Sequence, residues 1–96
     1  MRAKKICCVI AYDIVVAKRR RSVIKLISPY GKRINFSVYE CMFTAAQLKI
    51  ITSKLHAIVK KREDQIAVYR ICVDCFSKTE YIPPLKESAQ IVNVFD

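Results

Sequence analysis

One carboxylate in this chain stands where sheet proteins often place their chemistry. Asp13 follows Lys5-Ile6-Cys7-Cys8-Val9-Ile10-Ala11-Tyr12, a run apolar in both phases of a two-residue alternation. That is the pattern of a central strand covered on each side. Asp13 then falls at the strand's C-terminal end, where open sheets tend to hold ligands. An ionised carboxylate beside so apolar a run costs free energy unless something compensates it. A divalent cation would do so, and Mg²⁺, which keeps several of its waters, needs only one or two carboxylates plus phosphate. Two Asp13 groups meeting across a dimer axis would make such a site. A turn or helix-capping Asp is the plainer alternative, and the residues leave both open.

Cations crowd the next segment: Lys18, Arg19, Arg20 and Arg21 are consecutive, with Lys25 beyond them. Cations at a helix start oppose the helix dipole, a conflict that bound phosphate would relieve. Further on, Arg33, Asn35, Ser37 and Tyr39 alternate with Ile34, Phe36 and Val38. The expectation is a strand with the second set on the core and the first on a polar face suited to a phosphate and a base or ribose. Cys72-Val73-Asp74-Cys75 has the spacing of half a zinc site. With no second such pair and only His56 elsewhere, one chain cannot complete tetrahedral coordination, though two chains could supply four thiolates across a two-fold axis. Packing is the simpler role for the pair. His56 reads as a helix-margin residue. A P-loop, a Ser-His-Asp set and an HExxH motif are all missing, and one glycine in the whole chain excludes a Gly-rich phosphate cradle.

The elements that must position these groups follow from periodicity. Residues 5–14 form the first strand and 17–28 a helix, with Val23, Ile27 and Tyr30 on its apolar stripe and Pro29 and Gly31 ending it. Thr44-Ala45-Ala46-Gln47 has the form of a capping box. The helix it opens carries Leu48, Ile51, Leu55 and Ile58 inward and runs to about Lys61. Residues 65–73 form another strand, 78–88 a polar connection broken by Pro83-Pro84, and 91–95 a short terminal strand. With a break near Asn35 to Ser37 supplying a hairpin, the order becomes that of a ferredoxin-like α+β sandwich, two helices on an antiparallel sheet. We place one domain over 1–82 and a C-terminal segment over 83–96.

Composition narrows the partners. The chain has 96 residues with 18 Lys and Arg against eight Asp and Glu, a formal charge of +10, of which residues 1–48 carry +8 and residues 49–96 carry +2. So uneven a surface attracts a polyanion. A domain this small is marginally stable alone, which favours a dimer. No apolar run approaches the roughly 20 residues of a membrane span, and no helix pairs a basic face with an exposed aromatic one, so no membrane role is expected. The basic, then apolar, N-terminus runs into Tyr12-Asp13 with no small-residue cleavage site, so it reads as a strand in a cytoplasmic protein. Five cysteines, an odd number, argue against a disulfide framework. Cys7, Cys8 and Cys41 read as small core residues.

Taken in order, Tyr12-Asp13-Ile14, Arg19-Arg20, the stretch from Tyr30-Gly31-Lys32-Arg33 through Ser37-Val38-Tyr39-Glu40-Cys41, and Tyr69 to Cys75 resemble the second of the two universal CRISPR-associated protein families. This is the small subunit of the prokaryotic spacer-acquisition machinery. The resemblance runs from about residue 5 to 82. It implies a symmetric ferredoxin-like homodimer, with the C-terminal strand packing on the partner's sheet, that bridges subunits of the CRISPR integrase and holds captured duplex DNA. It also implies metal-dependent endonuclease activity on single-stranded RNA or duplex DNA. Asp13 matches the family's metal-binding carboxylate, with one Mg²⁺ shared by two copies. Arg19, Arg20 and Arg33 match its basic positions, and Ser37 and Tyr39 match its Ser-Val-Phe segment. Lys18, Arg21 and Lys25 extend the expected nucleic-acid surface. Asn35 stands where Gln is usual and Tyr39 where Phe is commoner, while Val15-Val16-Ala17 replaces a loop that is often polar. That last change removes possible extra metal ligands and weakens the case for strong catalysis, while leaving the charged surface intact. A purely architectural subunit, a Mg²⁺-dependent phosphodiesterase and a toxin-like ribonuclease of the same fold are the readings to separate.

Overall fold

The computed structural model describes residues 4–85. Strand β1 (Ile6–Asp13) is central: it pairs antiparallel with β3 (Val38–Phe43) on one side and with β4 (Gln65–Ile71) on the other. β2 (Gly31–Asn35) adds to the outer edge of β3, giving the order β2-β3-β1-β4. Helices α1 (Ala17–Ile27) and α2 (Ala45–Ile58) complete the βαββαβ succession of the ferredoxin-like fold. A one-turn 3₁₀ segment, Ser28–Tyr30, joins α1 to β2, and a short helix α3 (Val73–Ser77), which sequence periodicity does not announce, follows β4.

Both helices cover the same face. Cys8, Ile10 and Tyr12 from β1 and Tyr39, Cys41 and Phe43 from β3 form one cluster with Val23 and Ile27 of α1 and Leu48, Ile51 and Leu55 of α2. Phe43 is closed from solvent and its truncation to Ala would cost about 3–5 kcal/mol. The capping box forms as the sequence predicts: Gln47 N–H donates to Thr44 Oγ1 at 3.1 Å and Thr44 N–H to Gln47 Oε1 at 2.9 Å. α2 stops at Ile58 and not near Lys61, with the turn after it passing through Arg62 at φ 78°, a left-handed conformation that a side chain resists. Gly31 opens β2 because nothing larger fits: a Cβ there would lie 1.8 Å from the Glu40 carbonyl oxygen.

Two placements correct the expected alternation of residues 33–39. Tyr39 is buried at 5% exposure, and Phe36 stands out at 85%. The reason is local. A two-residue turn at Phe36–Ser37 and a register shift between Arg33 and Asn35 reset the phase, so that Tyr39, Cys41 and Phe43 face the helices. Tyr39 therefore packs on Tyr12, with ring centroids 6.5 Å apart, and is lost to the expected nucleic-acid surface.

The sheet's other face carries Val9 and Ala11 from β1, Val38, Glu40 and Met42 from β3, and Ala67 and Tyr69 from β4, as the registers require. Only part of it is covered. Tyr81 donates its hydroxyl to Glu40 Oε1 at 2.5 Å and lies beneath Lys32 Nζ, while Met42 and Tyr69 stay 41% and 56% exposed. β1 was expected to be covered on both sides; α1 and α2 cover one, and on the other Cys7 is closed from solvent where α3 meets β1, while Val9 and Ala11 are only partly buried. The expected strand over 91–95 lies outside the described residues.

Candidate functional site

Asp13 ends β1, paired in register with Gln65, and its side chain is exposed and takes no hydrogen bond or ion pair among the described residues. Alternation sends Tyr12 into the core and Asp13 to the open side of the sheet. A cleft of about 490 Å³ opens at this strand end, lined by Tyr12, Asp13, Ile14, Arg20, Arg33, Phe36 and Ser37. Four of the residues expected from sequence (Asp13, Arg20, Arg33 and Ser37) thus meet at one place.

The β2–β3 hairpin tip is tied to β1 to form that cleft. Tyr12 N–H donates to the Ser37 carbonyl at 3.0 Å, and the Tyr12 hydroxyl donates to the Phe36 carbonyl at 2.6 Å. Burial pushes the Tyr12 hydroxyl's pKa up, against the opposing pull of Arg33 and Arg20, so it stays a donor at neutral pH. Arg33 adds Nη2–H to the same Phe36 oxygen at 3.1 Å and Nε–H to Asn35 O at 3.2 Å. Asn35 Oδ1 accepts from Ser37 N–H at 3.0 Å, the Asx-type closure that suits such a turn. The guanidinium of Arg33 lies 5.6 Å from the centre of the Phe36 ring.

The cations of α1 divide into three roles. Arg20 folds back to the loop that precedes the helix, donating to Ile14 O at 3.1 Å and Val15 O at 3.4 Å. Arg19 is occupied within the fold: its Nε meets Asp64 Oδ2 at 2.7 Å and its Nη2 meets Glu63 Oε1 at 2.8 Å. Lys18, Arg21 and Lys25 are exposed. They stand at i, i+3 and i+7, one stripe of the helix, and make no ion pair among the described residues.

Sequence reasoning missed Asp64. Val16, the residue that caps the start of α1, makes no side-chain cap bond, and the helix has no acidic residue in its first turn. Asp64, just before β4, supplies what is missing: it accepts from Arg19, from Val15 N–H at 3.0 Å and from Lys60 N–H at 2.8 Å. The Arg19 guanidinium, helped by those two amides against the cost of desolvation, holds the Asp64 carboxyl well below the usual carboxylate range. The conflict between four cations and the helix dipole is therefore relieved for Arg19 by protein carboxylates. Only the position of Asp64 before a strand, 45 residues from Arg19, hid this from a local reading.

Cys72 and Cys75 are exposed at the start of α3, where Cys75 N–H donates to Cys72 Sγ at 3.2 Å. No cluster of three or more His, Cys, Asp or Glu that could hold a metal forms within the described residues. One chain therefore offers Asp13 as a single exposed carboxylate with no partner among the described residues, too little to hold a metal by itself.

Fold and site define a ferredoxin-like α+β domain that sets a lone strand-end carboxylate beside arginines and a tethered hairpin tip. The family model for CRISPR associated protein Cas2 matches residues 6–79, and this chain belongs to that family. A Chloroflexus aurantiacus protein named CRISPR-associated endoribonuclease Cas2 1 is 36% identical over 86 residues, covering 85% of this chain and 92% of that protein. The crystal structure of Streptococcus pyogenes Cas2 superposes with a TM-score of 0.71 at 30% identity, covering 78% of this chain and 96% of that one. A chain of a partial Cas6-RT-Cas1–Cas2 complex matches with a TM-score of 0.68 at 25% identity, covering 86% of this chain and 91% of that one. Among the described residues no helix is long and apolar enough to cross a membrane.

Proposed function

We propose that this chain is the small subunit of a CRISPR spacer-acquisition complex, a homodimer that holds nucleic acid on its cationic surface and bridges integrase subunits. The observation that carries the reading is the convergence of Asp13, Arg20 and Arg33 on one cleft, together with a stripe of exposed cations on α1. Phosphate contacts from Lys18, Arg21 and Lys25 bind without reading sequence. The matching chain in a complex with Cas1 supports an integrase subunit as partner. The half-covered sheet face, with Val9, Ala11, Met42 and Tyr69, supports a second copy as what closes it. Membership of the Cas2 family favours this reading over a toxin-like ribonuclease.

The endoribonuclease name of the relatives extends to this chain as a proposal centred on Asp13. Two Asp13 carboxylates brought together by the dimer would hold one Mg²⁺. When bound, the ion would supply polarisation of a phosphodiester and an activated water. The chain's own groups do the positioning. Arg20 and Arg33, oriented by backbone carbonyls, place positive charge at the cleft, and Ser37 presents a hydroxyl beside it. The test compares wild type with Asp13→Ala on labelled single-stranded RNA and duplex DNA, with Mg²⁺ or chelator, scoring binding and cutting in parallel. Mg²⁺-dependent cutting that vanishes in the variant, with binding retained, is the expected result for an enzyme. Equal cutting by both proteins ends the Asp13 mechanism. Salt-sensitive binding without cutting by either leaves the architectural role alone.

A further inference from the structure

Phe36 places a large apolar side chain in a surface turn. Neither Phe36 nor Ser37 takes a positive φ there, so what is unusual is the exposed ring and not the backbone beneath it. Here a phenyl ring occupies the turn with 85% of its surface in water. The ring is nonetheless held in place. The Phe36 carbonyl accepts from both the Tyr12 hydroxyl and Arg33, and Arg33 also bonds to Asn35 O, so the backbone beneath the ring and the guanidinium beside it are fixed. Arg33 sits 5.6 Å from the ring centre, within cation–π range.

The surroundings narrow what such a ring can receive. The other apolar members of the cleft, Tyr12 and Ile14, are each only 5% exposed, which leaves Phe36 as the lone apolar surface among Asp13, Arg20, Arg33 and Ser37. A protein partner's apolar patch would meet charges on all sides of one ring. A planar, uncharged ring attached to a phosphate fits better: the ring stacks, and the phosphate meets arginine. Unpaired nucleobases stack on aromatic side chains in this way, whatever their sequence, with cationic grooves tracking the backbone.

We propose that Phe36, braced by Arg33, is a stacking platform for an unpaired nucleobase at the mouth of the Asp13 cleft. The proposal rests on the nucleic-acid reading above and deepens it: the ligand class at this hairpin is single-stranded, or the frayed end of a duplex. A fully paired duplex keeps its bases stacked on each other and does not engage the ring.

The test uses the full chain and two short labelled RNA strands of equal length and charge, one carrying bases and one fully abasic. Phe36→Ala should weaken binding of the base-bearing strand by roughly 5- to 150-fold, the range for losing one stacked base, and leave the abasic strand's affinity unchanged. The chain contains no tryptophan, so Phe36→Trp installs a single indole whose emission should be quenched by the base-bearing strand and not by the abasic one. A melt that matches wild type confirms that Phe36→Ala folds. Equal loss on both strands, or no loss on either, overturns the platform while the nucleic-acid reading survives. Binding of neither strand nor duplex by wild type overturns both. A drop in the protein's assembled mass in Phe36→Ala, with RNA affinity unchanged, makes the ring a protein contact and also ends the proposal.

Discussion

Three exposed cations on α1 and the ion-paired Arg19 beside them permit a quantitative test of the nucleic-acid surface. Lys18, Arg21 and Lys25 form one exposed stripe, while Arg19 is held by Asp64 and Glu63. Each phosphate neutralised on B-DNA contributes about −0.9 to the slope of log affinity against log salt. Replacing all three stripe residues by Gln should flatten that slope by about 2.7 for each chain engaged. Between 50 and 200 mM salt this amounts to roughly 40-fold less loss of affinity than wild type suffers. Arg19→Gln makes the internal control. It removes one cation from the same helix, yet should leave the slope nearly unchanged and lower the melting temperature, because Asp64 loses its partner. Duplex binding by fluorescence anisotropy at a series of salt concentrations, beside thermal melts, measures both. An unchanged slope in the triple variant, or a flattening of about 0.9 in Arg19→Gln, would refute the division of the cations.

The Asp64 carboxyl titrates below its ordinary value of 3.8 in the folded chain. The ionised form is thus favoured by folding. Its contribution is complete above the unfolded carboxylate range and is lost as pH falls from about 4 through the folded value. Melting temperature should therefore drop as the solution is acidified in wild type, and less steeply in Asp64→Asn, which should be weaker at neutral pH. The thiols should separate in reactivity: Cys72 and Cys75 are exposed, whereas Cys7, Cys8 and Cys41 are buried and burial pushes the Cys41 thiol up to about 12. A thiol reagent at neutral pH should consume two thiols quickly and the remaining three only on unfolding. A third fast thiol would contradict the packing of β1 on β3.

What the sequence made legible was whatever depends on local pattern. The apolar run of β1, the capping box of α2 and the inward stripes of both helices all fold as periodicity requires. The strand-end position of Asp13 was legible in the same way, while its meeting with Arg20, Arg33 and Ser37 at one cleft is read from the structure. The failures are non-local or turn on a single residue of phase. A two-residue alternation gives opposite answers on either side of a one-residue slip, and the slip between Arg33 and Asn35 exchanged the expected fates of Phe36 and Tyr39. Arg19 could not be distinguished from Arg21 without knowing that the chain before β4 returns beside the start of α1. Helix α3, at five residues, is too short for periodicity to register.

Assembly and chemistry in this chain are a single question, because Asp13 and the uncovered apolar surface lie on the same side of β1. Alternation puts Val9, Ala11 and Asp13 together, opposite the helices. A lone exposed carboxylate is a poor metal site, and a half-covered sheet face is a poor end to a small core; one symmetric copy placed on that face would correct both. Tyr69→Glu separates this from a monomeric mechanism. Tyr69 is 56% exposed here, so a single chain tolerates the change, whereas two opposed glutamates at a dry interface would each be a buried, unpaired charge. The variant should sediment as a monomer, keep its far-ultraviolet spectrum and lose any Mg²⁺-dependent cutting although Asp13 is untouched. Its salt-dependent binding should persist at a reduced slope, since the α1 stripe lies on the helical layer and remains intact in each chain. Cutting that survives in a sedimenting monomer would mean that one Asp13 suffices, and the case for a shared ion would be gone.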